Sequence, residues 1–379
     1  QGSSLIDILV YNETQIKGRR VWMDFRHNPA ACCKADGEMT NGEMADGEMT
    51  DGEMNFGLCN EETYRYLKNS NALFGKPIDR LEKMNPPAIE LYKSRGINLY
   101  EEMLEIAVCA QHNNGGLACN IWSESNVRHL FAAGEANGVF GVYRPGGSAL
   151  NSTQVSSFRA AQFIAANYSQ RPLDLEHFAR LIEEQFMTKY QQACSFAACE
   201  MTDVMQKRLA MQKRMTACGA HIRSLGKIEQ AIQDCLDEIK AEKQSIKAEK
   251  QRPKTQTMPN ERRRGYTSLG IAQAFTNWDI LVTQYVYLCA IREYILKGGG
   301  SRGSYLIEDE AGLLPMNALP NCFRFLLDDG KLSDRVCEIE FDADAMQCRC
   351  DWQPVRPVPA DEQWFENIWS EYRQGHVVR

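Results

Sequence analysis

Apolar residues recur at helical spacing through much of the chain. Leu150, Val155, Phe158, Ala161 and Phe163 fall at or near one face of a long helix that begins around Ser148. Phe178, Leu181, Ile182 and Phe186 form a second stripe, and Leu225, Ile228, Ile232, Leu236 and Ile239 a third. The third continues into IKAEKQSIKAEKQ, a duplicated heptad with one Ile per repeat, which predicts a solvated helical extension rather than a strong coiled coil. Pro253 to Pro259 ends it, and Leu269 to Leu296 is patterned as a further long helix. Strand-like runs are shorter. Arg20 to Phe25 alternates and stops at His27-Asn28-Pro29. Glu105 to Ala110 reads as a short buried strand. Leu130 to Ala136, LFAAGEA, reads as another, delivering a bare backbone at Gly134 and the carboxylate of Glu135 to its tip. Arg335 to Phe341 and Gln347 to Trp352 are predicted to pair, ahead of a PVRPVP segment and a polar amphipathic tail.

Two low-complexity features stand apart. Residues 35–54 read ADGEM-TNGEM-ADGEM-TDGEM. A period of five buries no face of a helix or strand, so an irregular exposed loop is expected; calcium ligation by its carboxylates is the sharper alternative, but the full loop pattern is absent. Gly298 to Gly303 matches G-x-G-x-x-G literally, yet it follows a helix rather than a strand, so the dinucleotide reading fails on context.

Composition narrows the partners. The formal charge of −7 argues against nucleic acid, and Arg262-Arg263-Arg264 reads as a solvated loop. The most apolar stretch, Leu281 to Leu296, is interrupted by Gln284, Arg292 and Glu293, so no spanning helix is expected. With no secretory leader, a cytoplasmic location is expected. Fourteen cysteines show no disulfide framework and are expected to be reduced. Cys32-Cys33 and Cys348-x-Cys350 each lack a second pair at ligand spacing, so no metal site is assigned. A start at Gln1, with an apolar run already at Leu5 to Val10, is expected of a segment cut from a longer protein.

The chemistry concentrates between Leu130 and Ala166. Gly134-Glu135 is followed by Tyr143-Arg144-Pro145, by Gly146-Gly147, and by Ser148-Ala149-Leu150 opening the helix. A helix start after two glycines offers unpaired N–H groups and a partial positive charge to an electron-rich edge. A glycine pair alone is only a tight strand-to-helix connection; the constellation in order carries the signal. It resembles the C-terminal flavin-binding segment of the succinate dehydrogenase/fumarate reductase flavoprotein family, where a G-E-x step precedes N-R-L-G-G-N-S-L and a helix. The resemblance implies FAD as cofactor, with Glu135 on the ribitol and the amides near Ala149 and Leu150 at the pyrimidine edge. Gly134, Gly146, Gly147 and Ser148 complete the cofactor set, and Arg144 is implied to hold a substrate carboxylate.

Other segments extend the resemblance. Arg20 to His27 resembles the family's G-V-Y-L-D-L-R-H run in the capping domain. The family's proton-donating Arg falls at or before Gln1, and the first arginine is Arg19, so the resemblance implies a donor absent from this chain. Gln111-His112-Asn113-Asn114-Gly115-Gly116 is similar to H-Y-T-M-G-G. The carboxylate-binding His there aligns with Gln111, leaving His112, one place later, either in that role or as a hydrogen-bonded loop residue. Ser301-Arg302-Gly303 with Glu308-Asp309 is similar to an S-R-G-x-x-x-x-E-D element of the helical domain.

The fold class expected is α+β with a partial α/β portion. It comprises part of a capping domain at 1–105, the C-terminal segment of an incomplete Rossmann-type FAD-binding domain at 106–170, a helical domain at 173–297, and a region with a β-hairpin and tail at 298–379. The implied function is an FAD-dependent oxidoreductase moving a hydride between flavin and a small carboxylate-bearing substrate, with Arg144 and His112 as the catalytic candidates. No glycine-rich βαβ unit occurs in the sequence, so an N-terminal flavoprotein half or an electron-transfer subunit is the expected partner. The alternative is a non-catalytic remnant or interaction module, favoured by the 35–54 expansion, the duplicated heptad and Gln111.

Overall fold

The computed structural model describes residues 2–29, 49–50, 54–59, 61–109, 115–140, 148–197, 201–251, 268–302, 305–357 and 360–376. The chain divides into two units, 1–109 and 110–379.

In the first unit, helix α1 (Gly2–Tyr11) widens into a π-helical turn at Asn12–Ile16. Strand β1 (Val21–Met23) then runs antiparallel to a strand near the end of the unit, while β2 (Asn28–Pro29) pairs antiparallel with β3 (Met49–Thr50). The GEM repeat is thus not irregular where its third copy joins its fourth, Met49 and Thr50 meeting Pro29 and Asn28; residues 35–48 and 51–53 lie outside the described residues. Helix α2 (Glu61–Asn69) is followed by α3 (Pro77–Met84) and α4 (Pro86–Ser94). Pro77 and Pro86 each open a helix, where their fixed φ suits the first turn and no N–H is missed. Ile78, Ile89 and Leu99 form the core of the unit, with Phe25, Leu81, Tyr92, Ile97 and Leu104 against it.

The strand paired with β1 is β4 (Leu104–Ile106), with Trp22 opposite Glu105. It is shorter and more exposed than its apolar sequence predicts. Glu105 faces solvent, where Arg20 grips both its oxygens at 2.8 and 2.5 Å. A two-stranded ribbon has no second layer to bury both faces, so the continuous apolar run does not produce a buried strand here.

In the second unit, α5 (Ser148–Asn167) and α6 (Leu175–Phe196) lead to α7 (Met201–Cys218), β5 (Ile222–Arg223), α8 (Leu225–Lys250) and α9 (Ser268–Leu296). The α8 stripe packs as its spacing predicts. Ile228, Cys235 and Ile239 are fully buried against Met211 of α7 and Leu281, Tyr285 and Leu288 of α9, with Ile232 and Leu236 beside them. The IKAEK heptads continue the same helix to Lys250.

Two predicted stripes behave differently. On α6, Leu181 is 66% and Phe186 59% exposed; the buried residues, Gln192 and Phe196, lie in the last turns, where the helix meets the α8–α9 bundle. On α5, Leu150, Val155 and Phe158 are exposed and Ala160 is the buried residue. Phe163 instead stacks on Trp122 from the preceding loop, with ring centroids 5.3 Å apart. Helical period marks a face that can be buried; burial needs a neighbour on that side.

After α9, Gly298 adopts φ +87° as the helix ends, so the glycine run begins as a helix terminator. A side chain at Gly300 would meet the Asp328 backbone at 2.3 Å. Arg302 bonds Asp328 at 2.5 Å, which ties this turn to the following loop; Gly303 lies outside the described residues. Strand β6 (Leu306–Leu313) pairs in parallel with β5, Ile222 opposite Leu306. Strands β7 (Arg335–Asp342) and β8 (Gln347–Pro354) form the expected antiparallel hairpin. Its inner face carries Cys337, Ile339, Phe341, Cys348, Cys350 and Trp352. Trp352 donates to Glu293 of α9 at 3.0 Å, and Phe341 meets Tyr285 edge-on. Helix α10 (Trp364–Arg373) closes the chain.

Helices and strands are mixed, as an α+β fold requires, and the named strands of the described residues pair two by two. No described helix is long and apolar enough to cross a membrane, and no described group of three His, Cys, Asp or Glu is arranged to hold a metal. Every described cysteine is a free thiol; Cys32 and Cys33 lie outside the described residues.

Candidate functional site

The loop from Gly115 to Phe140 folds back on itself before α5. Leu117 donates from N to Ala136 O at 2.8 Å and accepts from Gly138 N at 3.1 Å, so that Leu117 and Asn137 face each other in a parallel bridge. Gly116 must be glycine for this crossing, because a Cβ would stand 2.5 Å from Ala136 O.

Residues 130–136 are not the buried strand their apolar run predicts. Leu130 is half exposed, Phe131 makes an isolated bridge to Glu124, and Gly134–Ala136 is a 3-10 turn. The cause is the left-handed backbone at Gly134, φ +70°, which turns the chain just where a strand would continue. The turn still presents Glu135, and it packs on α5: a Cβ at Gly134 would lie 3.6 Å from Thr153 Cγ2. The structure therefore brings Gly134 and Glu135 against the helix whose first turn holds Ser148, Ala149 and Leu150. In that turn Ser148 and Ala149 are half-buried and Leu150 is exposed. Arg144, His112, Gly146 and Gly147 lie outside the described residues.

Residues that sequence reasoning did not single out hold this arrangement together. Asn137 is buried and donates from Nδ2 to Ser123 Oγ at 3.2 Å. Ser123, itself buried and at φ +65°, accepts at its carbonyl from Ala132 N and directs its hydroxyl to Ser156 O on α5 at 3.5 Å. Loop, turn and helix are thus joined through one chain of polar groups, which leaves Asn137 Oδ1 buried and without a partner. At the other end of α5, the Tyr168 hydroxyl donates to Glu124 at 2.5 Å, and His129 N donates to the same oxygen at 3.0 Å. These bonds hold the Glu124 carboxyl below its usual range and push the Tyr168 phenol up. Asn137 meets Ser123 across 14 positions and Glu124 meets Tyr168 across 44, and no local motif announces either pair.

The arrangement is that of a bare-backbone turn with one carboxylate, set beside a helix start. The chain itself resembles the succinate dehydrogenase/fumarate reductase type of flavoprotein, and two relatives carry that likeness. Over 91 residues the chain is 40% identical to one subunit of the fumarate reductase (CoM/CoB) of Methanothermobacter marburgensis, covering 24% of this chain and 16% of that protein. Over 113 residues it is 33% identical to an uncharacterised FAD-dependent oxidoreductase of Methanocaldococcus jannaschii, covering 28% of this chain and 21% of that one. The matched stretches thus span about a sixth and a fifth of those relatives' own lengths. A mutant of FrdA from the E. coli quinol fumarate reductase superposes with a TM-score of 0.44 at 15% identity, over 91% of this chain and 56% of that one. No family model matches the chain.

Proposed function

We propose that the chain is part of an FAD-dependent oxidoreductase of the fumarate reductase/succinate dehydrogenase type, acting on a carboxylate-bearing substrate. The observation that supports the reading is the packing of the Gly134–Glu135 turn on α5, the helix that opens with Ser148, Ala149 and Leu150. The residues fit the flavin end of the cofactor. Gly134 offers backbone without a side chain, Glu135 offers acceptors for the hydroxyls of a polyol, and the first turn of α5 offers N–H groups that no helical carbonyl can reach. Bound FAD would supply the two-electron hydride chemistry.

The chain's own residues would bind and orient. Glu135 would hold the ribitol, and the amides near Ala149 and Leu150 would favour negative charge on the ring edge. Arg144 would anchor a substrate carboxylate through its two-pronged guanidinium, with His112 as a second contact. The pyrophosphate-binding unit would come from an N-terminal flavoprotein half, since the sequence shows no G-x-G-x-x-G between a strand pattern and a helix, and an electron-transfer subunit would complete the assembly. The second reading, an interaction module without catalysis, is favoured by the exposed apolar stripe of α6.

The test is flavin retention in a complex completed with a βαβ-bearing flavoprotein half, read by visible absorbance after desalting. Glu135→Ala should lower flavin content first. Arg144→Lys should leave flavin nearly unchanged while turnover falls more than about tenfold. Full flavin retention in Glu135→Ala would remove the ribitol role, and a completed complex that never binds flavin would leave the interaction module standing.

A further inference from the structure

Two arginines converge on the loop between Cys119 and Trp122. Arg159, on α5, lays its guanidinium over the Trp122 ring, with Cζ 4.9 Å from the centroid. Arg356, just beyond β8, donates from Nη2 to the Cys119 carbonyl at 3.1 Å. Trp122 is itself fixed by its stack on Phe163, at an interplanar angle of 17°. The three groups therefore sit on one platform built by α5, the loop and the segment after β8.

What is missing is negative charge. Among the described residues neither guanidinium forms an ion pair, and Arg159 Nε is buried without any hydrogen-bond partner. Burial, with the like charge of Arg356, weakens the hold of Arg159 on its proton. A half-buried guanidinium that also feels a second positive charge is unfavourable unless an anion sits with it. Elsewhere in the same unit each half-buried guanidinium has an acceptor: Arg302 bonds Asp328, Arg208 bonds Asn277, and Arg223 bonds the Gly219 and Ala220 carbonyls.

We propose that Arg159 and Arg356, with Trp122 as the floor, bind a phosphate group. A carboxylate carries a single negative charge on two coplanar oxygens, whereas a phosphate presents three terminal oxygens and about two negative charges, enough to bond and neutralise both arginines. Arg356 spends one N–H of Nη2 on Cys119 and keeps the rest of its fork for a ligand. The site is separate from the Glu135 turn, and the proposal holds or fails without flavin.

The experiment titrates inorganic phosphate and phenyl phosphate into the full chain by calorimetry, without FAD and at constant ionic strength set with chloride. Saturable binding at one site is expected, weakened at least about tenfold by Arg356→Gln and by Arg159→Gln. Arg356 is exposed, so Arg356→Gln should keep the parent melting temperature in chloride. Arg349→Gln, which removes an exposed arginine paired with Glu340, should bind phosphate like the parent. Binding of inorganic phosphate alone would assign the free anion, and binding of both ligands a phosphate ester. Binding of neither would overturn the site. So would equal weakening by Arg349→Gln, or succinate binding as tightly as phosphate.

Discussion

Asn277 and Gln284 stand one heptad apart on α9 and make the same bond to α7. Asn277 donates from Nδ2 to Val204 O, and Gln284 from Nε2 to Met211 O, each at 2.7 Å. Val204 and Met211 are themselves a heptad apart. Each amide oxygen then accepts from an arginine of α7: Arg208 Nε on Asn277 and Arg214 Nη1 on Gln284, both at 2.8 Å. Both amide side chains are buried, so their satisfied bonds set the register between the two helices.

Replacing Gln284 by Leu leaves Arg214 short of an acceptor inside the bundle and should lower unfolding free energy by about 2–3 kcal/mol. Gln233→Leu, on an exposed turn where Gln233 bonds Asp237, should change it by less than about 0.5 kcal/mol. Urea unfolding of the two variants checks the contrast. Equal effects would mean that the α7–α9 bonds add nothing beyond helix propensity.

Gly116 and Gly134 are glycines for different reasons. At Gly116 the obstruction is backbone, Ala136 O at 2.5 Å and Gly138 N at 2.9 Å, which cannot rotate away. At Gly134 there is room, and only the φ of +70° disfavours a side chain. Gly134→Ala should therefore cost about 1–2 kcal/mol, and Gly116→Ala more, with the loop crossing broken. Thermal melts of the two variants rank them; the reverse order would contradict the crossing at Leu117 and Asn137.

The Asp24 side chain is largely buried and gathers several hydrogen-bond donors. Arg26 bonds its Oδ1 through Nε at 2.9 Å and through the main chain at 2.8 Å, and bonds Oδ2 through Nη2 at 3.0 Å; His27 Nδ1 also meets Oδ2, at 2.8 Å. The Arg26 guanidinium, followed by His27, holds the carboxyl well below the usual carboxylate range. A depressed folded-state pKa adds stability that is present above the unfolded value, about 3.9, and is lost as pH falls toward the folded one. Stability of the parent should decline with acid below about pH 4, and Asp24→Asn should be less stable at neutrality and flatter across that window. An unchanged acid slope in Asp24→Asn would place the titration elsewhere.

Thiol reactivity should follow burial. Cys109 is exposed, whereas Cys235 is fully buried and its thiol is pushed up to about 11 by that burial. Alkylation of the native chain at about pH 8 should label Cys109 early and leave Cys235 untouched until denaturant is added, because the thiolate is the reacting form. Peptide mapping over time reads the order. Early labelling of Cys235 would show that α8 opens in the native state.

Sequence alone determined α8, α9 and the β7–β8 hairpin. Each has a period that matches its geometry, and partners close in the chain or long enough to find one another. It also marked Gly134, Glu135 and the α5 start as parts of one constellation, by order and residue type. Tertiary structure decided which predicted faces are covered. The stripes of α5 and α6 have helical period like that of α8, yet Leu150, Leu181 and Phe186 are exposed because no described element packs on them. It also turned residues 130–136 from a strand into a turn through one left-handed glycine. The Asn137–Ser123–Ser156 chain and the bond of Arg356 to the Cys119 carbonyl join residues from 14 to 237 positions apart. A side chain's chemistry states what bond it needs, and periodicity states which way it points; the fold alone supplies the atom that meets it.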